Sequence, residues 1–217
     1  MLRTACAQLA AWRASGAVDV TFRASINLSP MQLTREGFAE RVAAILDAHG
    51  VPPNAIELEI TERSLMRSEH TVETNLNALR GLGLRLSLDD FGTGFSSLSY
   101  LRRFRFDVLK IDRSFVRDLI HDPEDGAITN AILSMSRALG LRVIAEGVET
   151  EAQRAYLCER GCELMQGYLF SRPIEASALA GLFGRALGPE GACAWTVTAP
   201  SAPPRHGAFL VESPLAA

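Results

Sequence analysis

The chain has 217 residues, 47% of them apolar, and a formal charge of −3 from 22 basic and 25 acidic side chains. That length is enough for one domain with a sizeable core, and the mild acidity offers no grip on a nucleic-acid polymer or an anionic membrane surface. No apolar run approaches the roughly 18 residues that suggest a membrane span, so no membrane segment is expected in this chain.

From the N-terminus, Gln8, Trp12 and Arg13 interrupt any apolar leader, while Leu2, Leu9 and Trp12 share one helix face. This predicts a helix over 5–14. β-rich apolar runs then predict strands over 19–28, 55–60, 85–88, 108–111, 142–145 and, weakly, 164–165. Helical patterns occupy 30–49, 69–82, 127–139, 151–160 and 176–187, and Gly16, Gly50, Gly83, Gly140 and Gly161 stand where helix C-termini need glycine. Repeated βα units predict an α/β fold with a parallel sheet and helices packed outside it; a closed barrel and an open doubly wound sheet both fit at this level. From about residue 188 onward Pro, Ala, Gly and Ser crowd the chain, so 1–187 reads as the folded domain and 188–217 as a flexible Pro/Ala-rich tail.

The cysteines Cys6, Cys158, Cys162 and Cys193 are few and scattered, and no second Cys or His pair completes a zinc site beside Cys158 and Cys162. They read as thiols in a reducing cytoplasm. His49, His70, His121 and His206 read as surface histidines in helices, turns or tail rather than as bases.

The most informative stretch runs from Leu86 to Leu98, where an apolar run ends in Asp89 and Asp90 and breaks into a glycine-punctuated loop. Two adjacent carboxylates repel and are least costly when a divalent cation neutralises them; the plain alternative is a solvated acidic turn or helix cap. The other strands decide between the two. Their C-terminal ends carry Asn27, Glu59, Asp89 with Asp90, Lys110, Glu146 and Gln166, separated by 32, 30, 21, 36 and 20 residues, each about one βα unit. In a parallel α/β barrel those ends share one rim, where catalytic residues gather. Carboxylates with an amide oxygen, and no His or Cys, suit hard cations such as Mg²⁺, Mn²⁺ or Ca²⁺. A lysine among them serves as a point charge for a carboxylate or phosphate oxygen. Two such metals can clamp both oxygens of a phosphodiester displacement. Competing motifs fail: there is no Walker loop, GxGxxG or GxSxG, and Asp90-Phe91-Gly92 has no kinase loops around it.

Six segments carry a resemblance: Ser25-Ile26-Asn27-Leu28-Ser29, Glu57-Leu58-Glu59-Ile60-Thr61-Glu62, Asp89-Asp90-Phe91-Gly92-Thr93-Gly94, Leu109-Lys110-Ile111-Asp112-Arg113-Ser114-Phe115, Ala145-Glu146-Gly147-Val148-Glu149-Thr150 and Gln166-Gly167-Tyr168-Leu169-Phe170. From about residue 2 to 183 the chain resembles EAL domains, cyclic-di-GMP phosphodiesterases on a modified TIM (β/α)8 barrel. The resemblance implies that Asn27, Glu59 and Asp89 ligate a first Mg²⁺ or Mn²⁺, with Asp89 bridging to a second held by Asp90. It implies that Lys110 orients the attacking water or a phosphate oxygen, assisted by Asp112. Glu146 would be the general base or a water-mediated ligand, and Gln166 a hydrogen-bonding group in the metal site. Glu62 would fix the 91–97 loop and link it to a dimer interface near 112–122. The implied activity is hydrolysis of cyclic-di-GMP to linear pGpG in bacterial second-messenger signalling in the cytoplasm. The implied partners are a second copy in a homodimer and upstream sensory or GGDEF modules.

The family's Glu-Ala-Leu triplet occurs nowhere in the chain. Matched to the family, the chain is expected to supply about six of eight strands, to lack one metal-ligating Glu, and to be an N-terminally truncated product, the result of a mis-called start codon or an assembly fragment. About eight large apolar side chains would then lose partners, on the order of 10–20 kcal/mol at roughly 1.5–3 kcal/mol each. A whole domain is stable by only about 5–15 kcal/mol. Such an open barrel is expected to have impaired activity. The alternative reading is a non-catalytic domain that binds cyclic-di-GMP or a protein partner, and a third is a fragment with no stable fold.

Overall fold

The computed structural model describes residues 1–65, 69–92, 98–179 and 194–195. Helix α1 (Leu2–Ala14) buries Ala5, Cys6, Leu9 and Trp12 on one face. Strand β1 (Ala24–Asn27) starts later than the 19–28 pattern suggests. Asp19 makes a turn there, its Oδ1 accepting from the backbone N–H of Thr21 at 2.7 Å and of Phe22 at 3.1 Å. The single helix expected over 30–49 is two, α2 (Pro30–Leu33) and α3 (Phe38–His49). Gly37 breaks it, standing in the left-handed region at φ 66°.

Strand β2 (Ile56–Thr61) leads into the short α4 (Glu62–Leu65), then α5 (Glu69–Gly81) and β3 (Arg85–Phe91). Buried Asn75 of α5 donates to Leu33 O at 2.7 Å and Arg35 O at 2.9 Å, satisfying carbonyls that the end of α2 leaves open. The chain continues through α6 (Leu98–Phe104), β4 (Val108–Ile111), α7 (Arg113–Arg117), α8 (Pro123–Ala138), β5 (Arg142–Ala145), α9 (Glu151–Glu159), β6 (Leu164–Met165), α10 (Ala176–Leu179) and β7 (Ala194–Trp195). Of the stretch 188–217 read as a tail, Ala194–Trp195 pairs with β6; the rest lies outside the described residues.

All described strand pairings are parallel, and spatial order follows chain order from β1 to β7. The two end strands do not pair with each other among the described residues, which makes an incomplete (β/α) barrel with helices outside. Side-chain alternation sorts the two faces. Leu58, Ile60, Leu86, Leu88, Leu109 and Ile111 join Leu9, Leu46, Leu76 and Leu79 in the main core beneath the helices. The opposite, inner face carries Glu57, Glu59, Ser87 and Lys110, with a small apolar cluster of Val108, Ile144 and Leu164. The barrel interior is therefore polar toward one rim.

Cys6 and Cys162 are buried and free, and burial pushes the Cys162 thiol up to about 12. Cys158, half-buried in the last turn of α9, is disulfide-bonded, a departure from the expectation of thiols throughout. Among the described residues, no helix is long and apolar enough to cross a membrane. His49 is half-buried, and His70 and His121 are exposed, in keeping with surface histidines; His206 lies outside the described residues.

Candidate functional site

Lys110 occupies the centre of the rim. It sits on β4, between β3 and β5, with only 4% of its side chain exposed. Its ammonium lies 2.8 Å from Glu59 Oε1, 2.5 Å from Glu146 Oε1 and 3.4 Å from Asp89 Oδ1. These carboxylates come from the ends of β2, β3 and β5, so the lysine gathers three strands to one point. Gln166, following β6, donates through Nε2 to the same Glu146 Oε1 at 2.8 Å. Its own Oε1 is buried and accepts no hydrogen bond among the described residues.

The Asp89–Asp90 pair lies within β3 rather than beyond it, at an irregularity in the pairing with β4 between Leu88 and Phe91. Asp90 has φ 56°, a left-handed conformation costing a non-glycine residue roughly 1–3 kcal/mol. Its N–H donates to Asp89 Oδ1 at 3.0 Å. The bulge turns consecutive acids to the same mouth, which strict alternation would have placed on opposite faces.

Burial dominates the electrostatics. It raises Glu146 from the ordinary 4.5 to about 7, against the pull of Lys110 and with a further push from Asp89 and Glu59. Burial likewise raises Glu59, outweighing Lys110, and raises Asp90, helped by the neighbouring Asp89. For Lys110 burial works downward, but Glu146, Glu59 and Asp89 prevail and hold its ammonium well above the ordinary range. The Lys110 ammonium thus faces the carboxylates of Glu59, Asp89, Asp90 and Glu146, with the Arg63 guanidinium acting on Asp90 besides, and acids outnumber cations at the rim.

Asn27 ends β1 opposite Glu59 in register and is exposed. It borders a cavity of about 320 Å³ whose lining includes Gln32, Arg35 and Leu58. Asp112 caps α7, its Oδ1 accepting from Ser114 N at 2.9 Å, yet it stands near enough to raise Asp90. Glu62 is buried at the start of α4; of the loop it was expected to fix, residues 93–97 lie outside the described residues. Among the described residues no three His, Cys, Asp or Glu side chains are grouped to enclose a metal ion, and the Lys110 ammonium stands between those that converge. The donor set nevertheless fits a hard divalent cation in kind: all oxygen, in excess negative charge, with the Gln166 amide oxygen free to accept.

Gln153 has a part in holding this rim that the sequence reading did not give it. Buried on α9, it donates to Val116 O and Arg117 O at 3.0 Å each. Its Oε1 accepts from Glu149 N and Thr150 N at 2.8 and 2.9 Å. The Thr150-Glu151-Ala152-Gln153 capping-box pattern was the available signal.

A family model described as EAL domain matches residues 1–173. The chain is 41% identical over 179 residues to the bifunctional diguanylate cyclase/cyclic di-GMP phosphodiesterase MucR of Pseudomonas aeruginosa, covering 82% of this chain and 26% of that protein. It superposes on the PaMucR phosphodiesterase in its c-di-GMP complex with a TM-score of 0.77 at 41% identity, covering 82% of this chain and 71% of that one. The Klebsiella pneumoniae BlrP1 manganese/cy-diGMP complex at pH 6 gives a TM-score of 0.72 at 33% identity, covering 78% and 42%. The chain spans about a quarter of the length of the curated relatives it matches.

Proposed function

Because this chain belongs to the EAL domain family, we propose that it serves the hydrolysis of cyclic-di-GMP to linear pGpG, in the cytoplasm, with two Mg²⁺ or Mn²⁺ ions. The observation that carries the reading is the convergence of Glu59, Asp89 and Glu146, from three different strands, on the Lys110 ammonium. The P. aeruginosa relative bears a phosphodiesterase name and was solved with c-di-GMP, and the K. pneumoniae relative was solved with manganese and cy-diGMP. In this reading Asn27, Glu59, Asp89 and Asp90 would hold the ions. When bound, the ions supply charge neutralisation and an activated water.

The chain's own groups do the remaining work. Glu146, raised to about 7, is poised near neutrality to take the proton of the attacking water. Gln166 fixes the orientation of that carboxylate through its 2.8 Å hydrogen bond. Lys110 presents a fixed positive charge to a non-bridging phosphate oxygen, where negative charge develops. Asp112 assists the lysine by capping α7 through one oxygen, its charge reaching Asp90 at the same rim. Upstream sensory or GGDEF modules and a second copy of the chain would regulate the site, in keeping with the multidomain length of the relatives.

A second reading, a domain that binds cyclic-di-GMP without cleaving it, is favoured by the Lys110 ammonium standing among acids of which, among the described residues, no three enclose a metal ion. Incubating the purified chain with cyclic-di-GMP and Mn²⁺, and reading linear product by chromatography, separates the two. The hydrolase reading expects pGpG from the wild type and at least about 100-fold less from Glu146→Gln. Retention of the dinucleotide without product supports the binding reading, and product formation that survives Glu146→Gln refutes the assignment of the base.

A further inference from the structure

Two glycines follow the acids of the rim, Gly92 after Asp89–Asp90 and Gly147 after Glu146, with φ of 96° and 71°. The same short helix, α7, covers both. A Cβ built on Gly92 would lie 2.8 Å from Phe115 Cε2 and 3.1 Å from Cζ, and one on Gly147 would lie 2.6 Å from Arg113 Cβ. The Phe115 ring therefore rests on bare backbone two residues beyond Asp90, past Phe91. Helix α7 is fastened at both ends, by the Asp112 cap onto Ser114 N and by Gln153 on the carbonyls of Val116 and Arg117. Phe115 is half-buried against the main core and carries no group that could react.

A non-glycine residue keeps a left-handed backbone only where its surroundings over-determine it. The Phe115 ring on Gly92, two residues along the same turn, belongs to the surroundings that hold Asp90. We propose that Phe115 is a positioning residue that acts through Gly92, holding the Asp89–Asp90 turn in the geometry a divalent ion needs. This rests on the proposed metal-dependent function and names a further determinant of the same site.

Calorimetric titration of the full chain with Mn²⁺ tests it, comparing wild type, Phe115→Leu and, as a control for lost aromatic packing, Phe22→Leu. Phe22 is a buried core phenylalanine, packed edge-on against Trp12 at 5.9 Å and away from the rim. Phe115→Leu is expected to weaken Mn²⁺ binding by about 10-fold or more, as loss of an outer-shell support does. Phe22→Leu is expected to lower the urea midpoint while leaving Mn²⁺ affinity unchanged. Should Phe115→Leu fail to fold, Phe115→Met is read in the same way. Equal affinity in a folded Phe115 variant and wild type overturns the positioning role alone, and so does an equal loss in Phe22→Leu. No Mn²⁺ uptake by the wild type overturns the metal reading and this proposal with it.

Discussion

Replacing Glu146 by Gln should stabilise the metal-free chain. The ordinary glutamate value is 4.5 and the folded one about 7, so between those values the folded chain holds a proton that the unfolded chain has released. Stability therefore falls as pH rises through that window; the full penalty applies above about 7 and none below 4.5. At 1.36 kcal/mol per pH unit the interval corresponds to on the order of 3 kcal/mol. The side chain is 16% exposed, so solvent trims this toward about 2 kcal/mol. Gln keeps the shape and a hydrogen-bonding oxygen but never ionises, and Lys110 retains Glu59 and Asp89 as partners. Urea denaturation in the presence of a chelator should show Glu146→Gln more stable than wild type by about 2–3 kcal/mol at pH 8, the two curves converging by pH 4.5. A variant less stable than wild type at pH 8, or a difference that does not shrink on acidification, refutes the argument from burial.

Two further outcomes follow from the local structure. Gly147→Ala forces a Cβ to 2.6 Å from Arg113 Cβ at a positive φ, and should cost roughly 1–3 kcal/mol by thermal unfolding and lower cyclic-di-GMP turnover. Thr150→Ala removes the capping oxygen that Gln153 N reaches at 3.2 Å; it should cost about 1 kcal/mol in urea with the m-value unchanged.

Much of the architecture is readable from residue pattern because parallel strands buried on both faces announce themselves as apolar runs. The limits expected for β4, β5 and β6 coincide with those observed. The misses have local causes. Asp19 spends the start of the expected first strand on a side-chain turn, and Gly37 divides a helix whose periodicity looked continuous. Helices α4 and α7, of four and five residues, are too short for a 3.6-residue period to register. At the rim, chain order placed Glu59, Asp89, Lys110, Glu146 and Gln166 at strand ends, but which of them touch depends on strand neighbours and on the bulge at Asp89–Asp90. Asp112 was legible from its place two residues after Lys110; that one of its oxygens also caps α7 while its charge reaches Asp90 depends on the fold. The support from Gln153 and Phe115 arises from packing between elements 36 or more residues apart, or across a glycine surface, and no pattern along the chain reports it.

The lysine at the heart of the rim gives the barrel a counter-ion of its own. Domains whose acidic or thiolate ligands have no internal counter-charge fall apart when their ion is withdrawn. On the proposed function this counter-ion offsets part of the repulsion among the acids before any ion binds, so withdrawing metal would cost such a domain less than one whose ligands repel unopposed.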